Sequence, residues 1–203
     1  MGYLENNCSF YEMTPELVAR CKEFRCSLDS GIDEFYHKEY DAYAREQLGR
    51  SYCFVEDNSR SIVCAFTLCN SAVTVRNLPN QRRKRIQRCI PHSKHRGQYP
   101  AVLVGQLAVF DGFSHLGIGE EAMNFIKAMS LPKQFDAEWN HIMAGCRFVL
   151  VDAKDYDKVL AYYESNEFDY VYGSADEENR NLGMKTNDHK TRLMFFDLIR
   201  IAR

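Results

Sequence analysis

The hydrophobic positions of this 203-residue chain change period several times, and each change predicts an element. "TPELVARCKEF" opens with Thr14 as a candidate N-cap and Pro15 at the first helical position. In "DSGIDEFYHKEYDAYAREQLGR", Ile32, Phe35, Tyr36, Tyr40, Tyr43, Ala44 and Leu48 recur at helical spacing until Gly49 ends the run. "SYCFVEDNSRSIVCAFTLCNSAVTV" reads as two strands around the turn Asp57-Asn58-Ser59. After Pro79, "NQRRKRIQRC" predicts a short helix and then a loop to Pro100. "AVLVGQLAVF" is too short and too rich in β-branched residues for a helix, so it predicts a buried central strand. A glycine-containing turn follows, then a helix from Gly117 to Met129. "RFVLVDA" is a second buried strand, and "DYDKVLAYYESNEF" a helix with Val159, Leu160 and Tyr163 on one face. "DYVYG" and "TRLMFFDLIR" read as closing strands, and the polar "GSADEENRNLGMKTNDH" between them as a mobile surface loop. The pattern predicts a mixed α/β layer architecture in one domain, residues 1–203.

Composition narrows the setting. Hydrophobic content of 45% and charged content of 27% are ordinary globular values. No apolar run approaches the roughly 20 residues that span a bilayer, and the N-terminus lacks a signal-peptide layout. A soluble, cytoplasmic protein is expected, without a membrane partner. The eight cysteines are scattered and form no C-x-x-C pair, which suits small buried side chains in a reducing compartment better than disulfides or zinc. His115 and His141 stand without metal spacing, so no metal is expected.

Charge changes the picture more. The net charge is only −2, yet no Asp or Glu occurs between Asp57 and Asp111, a stretch holding nine Lys and Arg. Seven of the nine lie in "RRKRIQRCIPHSKHR", which includes Arg82, Arg83, Lys84 and Arg85. Such a run is either a solvated face or a docking surface for a polyanion, whether RNA phosphates or the 3′-phosphate of a coenzyme.

The turn "FDGFSHLGIGEEAM" carries the most specific chemistry. The dinucleotide pattern G-x-G-x-x-G fails, because Ala122 stands three after Gly119. The nucleotide-triphosphate loop fails for want of Gly-Lys-Ser/Thr. A short turn remains, whose backbone N–H groups from His115 to Glu120 can face one pyrophosphate, helped by the helix dipole. A tight strand-to-helix turn with no ligand is the alternative.

"QLAVFDGFSHLGIGEEAM" resembles motif A of the GNAT superfamily of N-acetyltransferases, and "VLAYYESNEFDYV" and "TRLMFFDL" resemble that family's later helix-strand segment and closing strand. The three lie in the family's order, over residues 10 to 200. "FRCSLDSGIDEFYHKEY" is similar, more loosely, to the start of the tRNA-acetylating toxins of bacterial toxin–antitoxin pairs. The resemblance implies the GNAT acyltransferase fold, a central mixed, mostly antiparallel sheet flanked by helices. It implies acetyl-CoA as cofactor, held by Leu107, Ala108 and Val109 along the strand and by Ser114, His115, Leu116, Gly117, Ile118, Gly119 and Glu120 at the turn. The Val109 N–H would polarise the thioester carbonyl, and Tyr163 would give a proton to the leaving thiolate. Two positions depart from the family pattern: Ser114 replaces Gln/Arg of motif A, and Glu167 replaces the glycine before Phe168.

The acceptor implied is a primary amine, preferably the α-amine of charged tRNA, with Arg82, Arg83, Lys84 and Arg85 on its phosphates. The central strand carries no acid, which favours an α-amine, pKa about 7.7, over a lysine near 10.4. Tyr36, Glu39 and Tyr40 are the candidate bases. A small-molecule or protein N-acetyltransferase, or a non-catalytic acyl-CoA-binding module, are the other readings. The toxin resemblance adds an antitoxin protein and a homodimer as partners to look for.

Overall fold

The computed structural model describes residues 2–131, 145–183 and 190–202. They form two compact units, one of residues 2–70 and 104–126, the other of the described residues from 71 to 103 and from 127 onward. Among the described residues seven strands, β1 (Cys8–Glu12), β2 (Arg50–Glu56), β3 (Ile62–Thr74), β4 (Gln98–Val109), β5 (Phe148–Lys154), β6 (Asp169–Tyr170) and β7 (Thr191–Asp197), are hydrogen-bonded in the order β1-β2-β3-β4-β5-β7-β6. The β1–β2, β2–β3, β5–β7 and β6–β7 pairings are antiparallel.

In the first unit, α1 (Tyr3–Asn7) leads into β1 (Cys8–Glu12), which pairs with β2 (Arg50–Glu56). β3 begins at Ile62 and runs to Thr74, and β4 spans Gln98–Val109. β2 is buried on both faces, and its period of two sorts the side chains. Cys53 and Val55 join a core with Phe24, Phe35, Tyr36, Tyr40 and Phe110. Tyr52 and Phe54 point the other way, into rings contributed by Phe10, Phe66 and Phe125, with centroids 4.6–6.4 Å apart.

Between β1 and β2 the predicted helical stretch is broken. α2 covers only Pro15–Val18, with the Thr14 hydroxyl accepting from Leu17 N at 3.2 Å. α3 (Ser30–Glu34) passes through a π-turn at Phe35–Glu39 into α4 (Tyr40–Arg45). The π-turn adds a residue to one turn of backbone, a feature common where function bends a helix.

The second unit holds α5 (Asn80–Ile86), β5 (Phe148–Lys154), α7 (Asp157–Ser165), β6 (Asp169–Tyr170), α8 (Ala175–Leu182) and β7 (Thr191–Asp197); α6 (Ile118–Met129) starts in the first unit and ends in the second. Its core gathers Val73, Val75, Ile86, Tyr99, Phe148, Leu150, Val171 and Phe195. α8 corrects the sequence reading of a mobile loop at 173–189 over Ala175–Leu182, and residues 184–189 of that reading lie outside the described residues. The Ser174 hydroxyl caps the helix by accepting from Glu177 N at 3.2 Å. Glu178, 1% exposed, accepts from Leu193 N at 2.8 Å and Arg192 Nε at 3.1 Å, which pins this very polar helix to β7. No helix among the described residues is long and apolar enough to cross a membrane.

Candidate functional site

The turn between β4 and α6 lies within the first unit. β4 ends at Val109, and the next two amides are still tied down: Phe110 N donates to Val63 O at 3.0 Å, Asp111 N to Arg25 O at 2.8 Å. The Asp111 carboxylate accepts from the hydroxyl of Ser27 at 2.5 Å and from its N–H at 3.2 Å, which holds the carboxyl below its usual range. The chain then reverses through three left-handed residues, Gly112 (φ 89°), His115 (φ 68°) and Gly117 (φ 75°). A Cβ on Gly117 would meet nothing within 4 Å, so what demands glycine there is its φ.

α6 starts at once behind this turn, anchored by Ile118, Ala122, Met123 and Ile126, each at most 1% exposed. In its first turn Glu120 N and Glu121 N both donate to Gly117 O, at 3.1 and 3.2 Å. Among the described residues, the N–H groups of Ser114, His115, Leu116, Gly117 and Ile118 have no hydrogen-bond partner. These are the donors on offer to an anion, while Glu120, expected among them, has turned its amide to Gly117. Glu121 is occupied differently: its carboxylate accepts from Tyr3 N and Leu4 N, both at 2.8 Å, and so caps α1.

Along β4, Leu107 and Val109 are half-buried and Ala108 is 3% exposed. Beneath it lies a residue whose role the sequence left open. Tyr36, fully buried in the π-turn, donates its hydroxyl to Gln106 O at 3.2 Å. Burial pushes that phenol far above its ordinary value, so Tyr36 holds the strand rather than serving as a base. Burial also raises Tyr40, while Glu39 is exposed. His37, in the same turn, places Nδ1 2.8 Å from Asp33 O, a carbonyl that can only accept, so Nδ1 donates there.

Tyr163 belongs to the second unit, on α7, where its half-buried ring packs edge-on against Tyr162 and Phe168 at 5.0 and 5.6 Å. Desolvation raises the phenol to about 12, and among the described residues nothing hydrogen-bonds its hydroxyl. It is a protonated donor with its proton uncommitted. Three residues on, Asn166 ends the helix and Glu167 takes φ 63°. Phe168 N donates to Tyr163 O at 3.0 Å and Glu167 N to Glu164 O at 2.9 Å, which is the Schellman arrangement, with its usual contact between the rings of Phe168 and Tyr163. The glycine missing from the sequence motif is therefore missing only as a residue type; its left-handed conformation is kept.

The basic helix α5 is in the second unit as well, and part of its charge is spent locally. Arg85 pairs with Asp169, Arg82 donates to Tyr170 O at 3.4 Å, and Arg83 meets Asn80. Gln81, Arg82, Lys84 and Arg85 line an open hollow of about 410 Å³. Lys84, Arg88, Lys94 and Arg96 are exposed. His141 lies outside the described residues.

No protein-family model and no curated protein sequence matches this chain. Solved structures do, over almost all of it. The toxin AtaT complexed with acetyl-methionyl-tRNAfMet matches with a TM-score of 0.64 at 20% identity, over 97% of this chain and 98% of that one. A tyrosine-to-phenylalanine variant of KacT matches at 0.63 and 19%, over 97% and 98%. AtaTR bound with AcCoA matches at 0.63 and 22%, over 97% of each chain. At these identities the likeness establishes the fold, and the mixed α/β architecture expected from the sequence, a sheet flanked by helices, is borne out.

Proposed function

We propose that the protein is an N-acetyltransferase that moves acetyl from acetyl-CoA to a primary amine, the α-amine of aminoacyl-tRNA, within a single acetyltransferase domain. The observation that carries this reading is the run of unpartnered amides from Ser114 to Ile118 at the start of α6, opened by the left-handed Gly117. Five unpartnered N–H groups and a helix dipole suit a pyrophosphate, and the exposed His115, Leu116 and Gly117 let one approach. Support comes also from neighbours of the same fold solved with acetyl-CoA and with acetyl-methionyl-tRNAfMet.

The roles follow. The turn residues Ser114 to Gly119 hold the pyrophosphate, and the backbone of Leu107, Ala108 and Val109 receives the pantetheine arm. Bound acetyl-CoA supplies the activated thioester carbon. The Val109 N–H faces the carbonyl oxygen, where negative charge develops. Tyr163 hands its phenolic proton to the departing sulfur as the C–S bond breaks and the C–N bond forms. An α-amine, neutral in good part near neutral pH given its pKa of about 7.7, needs only water or a weak base to take the one proton its nitrogen sheds as the amide forms.

Because Arg82 and Arg85 are engaged inside their own unit, the phosphate contacts fall mainly to Lys84, Arg88, Lys94 and Arg96, with Arg82, Arg83 and Arg85 behind them. The proposed setting is the cytoplasm, with an antitoxin protein and a second copy of the chain as partners; AtaT has been solved bound to the C-terminus of the antitoxin AtaR.

The test measures acetyl-CoA consumption by purified protein with a pool of charged tRNA, and with polyamines or free amino acids instead. Turnover that needs charged tRNA, falls about 100-fold in Tyr163→Phe and loses salt dependence when Lys84, Arg88, Lys94 and Arg96 become Gln supports the proposal. Turnover only with a small amine makes the protein a small-molecule acetyltransferase. Tight coenzyme binding without turnover makes it an acyl-CoA-binding module.

A further inference from the structure

The end of α7 is held by two cations that neither the motif nor the proposed chemistry uses. A helix leaves its last carbonyls without partners, and a Schellman turn satisfies only some of them. Here the internal bonds take up three. Tyr163 O accepts from Phe168 N and Glu164 O from Glu167 N; Tyr162 O accepts from Asn166 N at 3.2 Å and Asn166 Nδ2 at 2.8 Å. Two carbonyls just past the helix, those of Asn166 and Glu167, are taken by side chains from outside it. Lys127 Nζ donates to Asn166 O at 2.7 Å, and Arg200 Nη1 to Glu167 O at 2.9 Å.

Lys127 is the unusual member. It is 4% exposed, where a lysine is rarely found, and its ammonium lies over the Phe196 ring at 4.3 Å and the Phe168 ring at 5.5 Å. Phe168 is the residue whose ring packs against Tyr163 and whose amide bonds the Tyr163 carbonyl. One buried charge therefore touches both the carbonyl that ends the helix and the ring that seats the tyrosine. Arg200 adds a second grip, stacking over Phe196 at 5.5 Å and bonding Asp169 at 2.7 Å. Positive charge at a helix C-terminus is favourable in itself, and burial strengthens it.

We propose that Lys127 is a positioning residue for Tyr163, acting through Asn166 O and Phe168 to fix the last turn of α7, with Arg200 as its helper. This rests on the acetyltransferase reading, in which the tyrosine must deliver a proton to one atom. A displacement of about an ångström is enough to cost such a transfer tenfold to a hundredfold.

The test is a double-mutant cycle on acetyl transfer to charged tRNA, using Lys127→Met, which keeps the side chain's length and apolar stem. If Lys127 acts through Tyr163, Lys127→Met lowers kcat about tenfold or more with the KM for acetyl-CoA within about twofold, and Lys127→Arg restores part of the loss. Adding Lys127→Met to Tyr163→Phe then lowers kcat no further. Independent, multiplying losses in the double variant, or a kcat for Lys127→Met within about twofold of the parent, overturn the proposal. Should Lys127→Met fail to melt cooperatively, Arg200→Gln takes its place in the cycle, with an expected loss of about threefold. A readout without turnover separates this inference from the function it rests on. Deuterium exchange at the Phe168 amide speeds about tenfold in Lys127→Met if the clamp holds the turn, and an unchanged rate overturns it. Tyr163→Phe with full activity removes the acid role itself, whatever that amide does.

Discussion

Two helix ends, one in each unit, meet the same physical problem and solve it in opposite ways. The N-terminus of α6 presents amides from Ser114 to Ile118 that nothing among the described residues satisfies, on an exposed turn. The C-terminus of α7 leaves little open: Tyr162, Tyr163, Glu164, Asn166 and Glu167 each have their carbonyl taken by a backbone amide or a cation. Each unpaired backbone group removed from water is costly, so a fold satisfies it, exposes it or keeps it for a ligand. The difference teaches where to look for binding and where for positioning. An open helix end on a rigid anchor is built to receive a charge, and a closed one is built to keep a side chain still.

The largest effect that can break this contrast is at Gly117. Gly117→Val puts a β-branched residue at φ 75°, expected to cost about 1–2 kcal/mol of stability and to weaken acetyl-CoA binding at least about tenfold by tilting the amides. Calorimetric titration with acetyl-CoA beside a thermal melt reads both. Unchanged affinity would mean the open amides do not hold the coenzyme. A smaller effect of opposite sign belongs to the closed end. Glu167→Gly removes the side chain from a left-handed position, so stability should rise by about 0.5–1 kcal/mol with kcat unaltered. A loss of stability would show that Glu167 contributes something beyond its backbone shape.

The smallest effect is a titration. Tyr163 is raised to about 12, so its folded form holds the proton more tightly than the unfolded chain does near 10. That contribution to stability is complete below about pH 10 and is lost as pH rises through about 12. The phenolate absorbance of the parent minus that of Tyr163→Phe should accordingly show its midpoint near 12. A midpoint near 10 would mean the ring is open to water and is not held as described.

Most of the sheet was legible because its strands announce themselves. Tyr52 to Val55, Ile62 to Thr67, and Phe148 to Val151 are apolar runs too short for helices, buried on both faces. β1 was not, since its five residues become a strand only through pairing with β2. α8 was missed although its Ser174-x-x-Glu177 cap stood in plain view, because the segment is so polar that its helix depends on the buried Glu178. At the candidate site, the glycine turn and Tyr163 could be read as motif. Tyr36 under Gln106, and Lys127 and Arg200 around α7, could not, since none stands at a spacing that marks its partner.

Local chemistry along the chain thus determined which segments are strands, where α6 begins, and that the turn before it needs a residue free to take positive φ. It determined too that a phenol stands in the last turn of α7. Only the tertiary structure decided which amides of the turn stay open, which arginines of the basic run are already paired, and that a buried lysine closes the helix behind Tyr163. Periodicity and backbone preference act over a few neighbouring residues and leave their mark in sequence. Partners brought together from 39 positions away, as Lys127 and Asn166 are, leave none until the chain is folded.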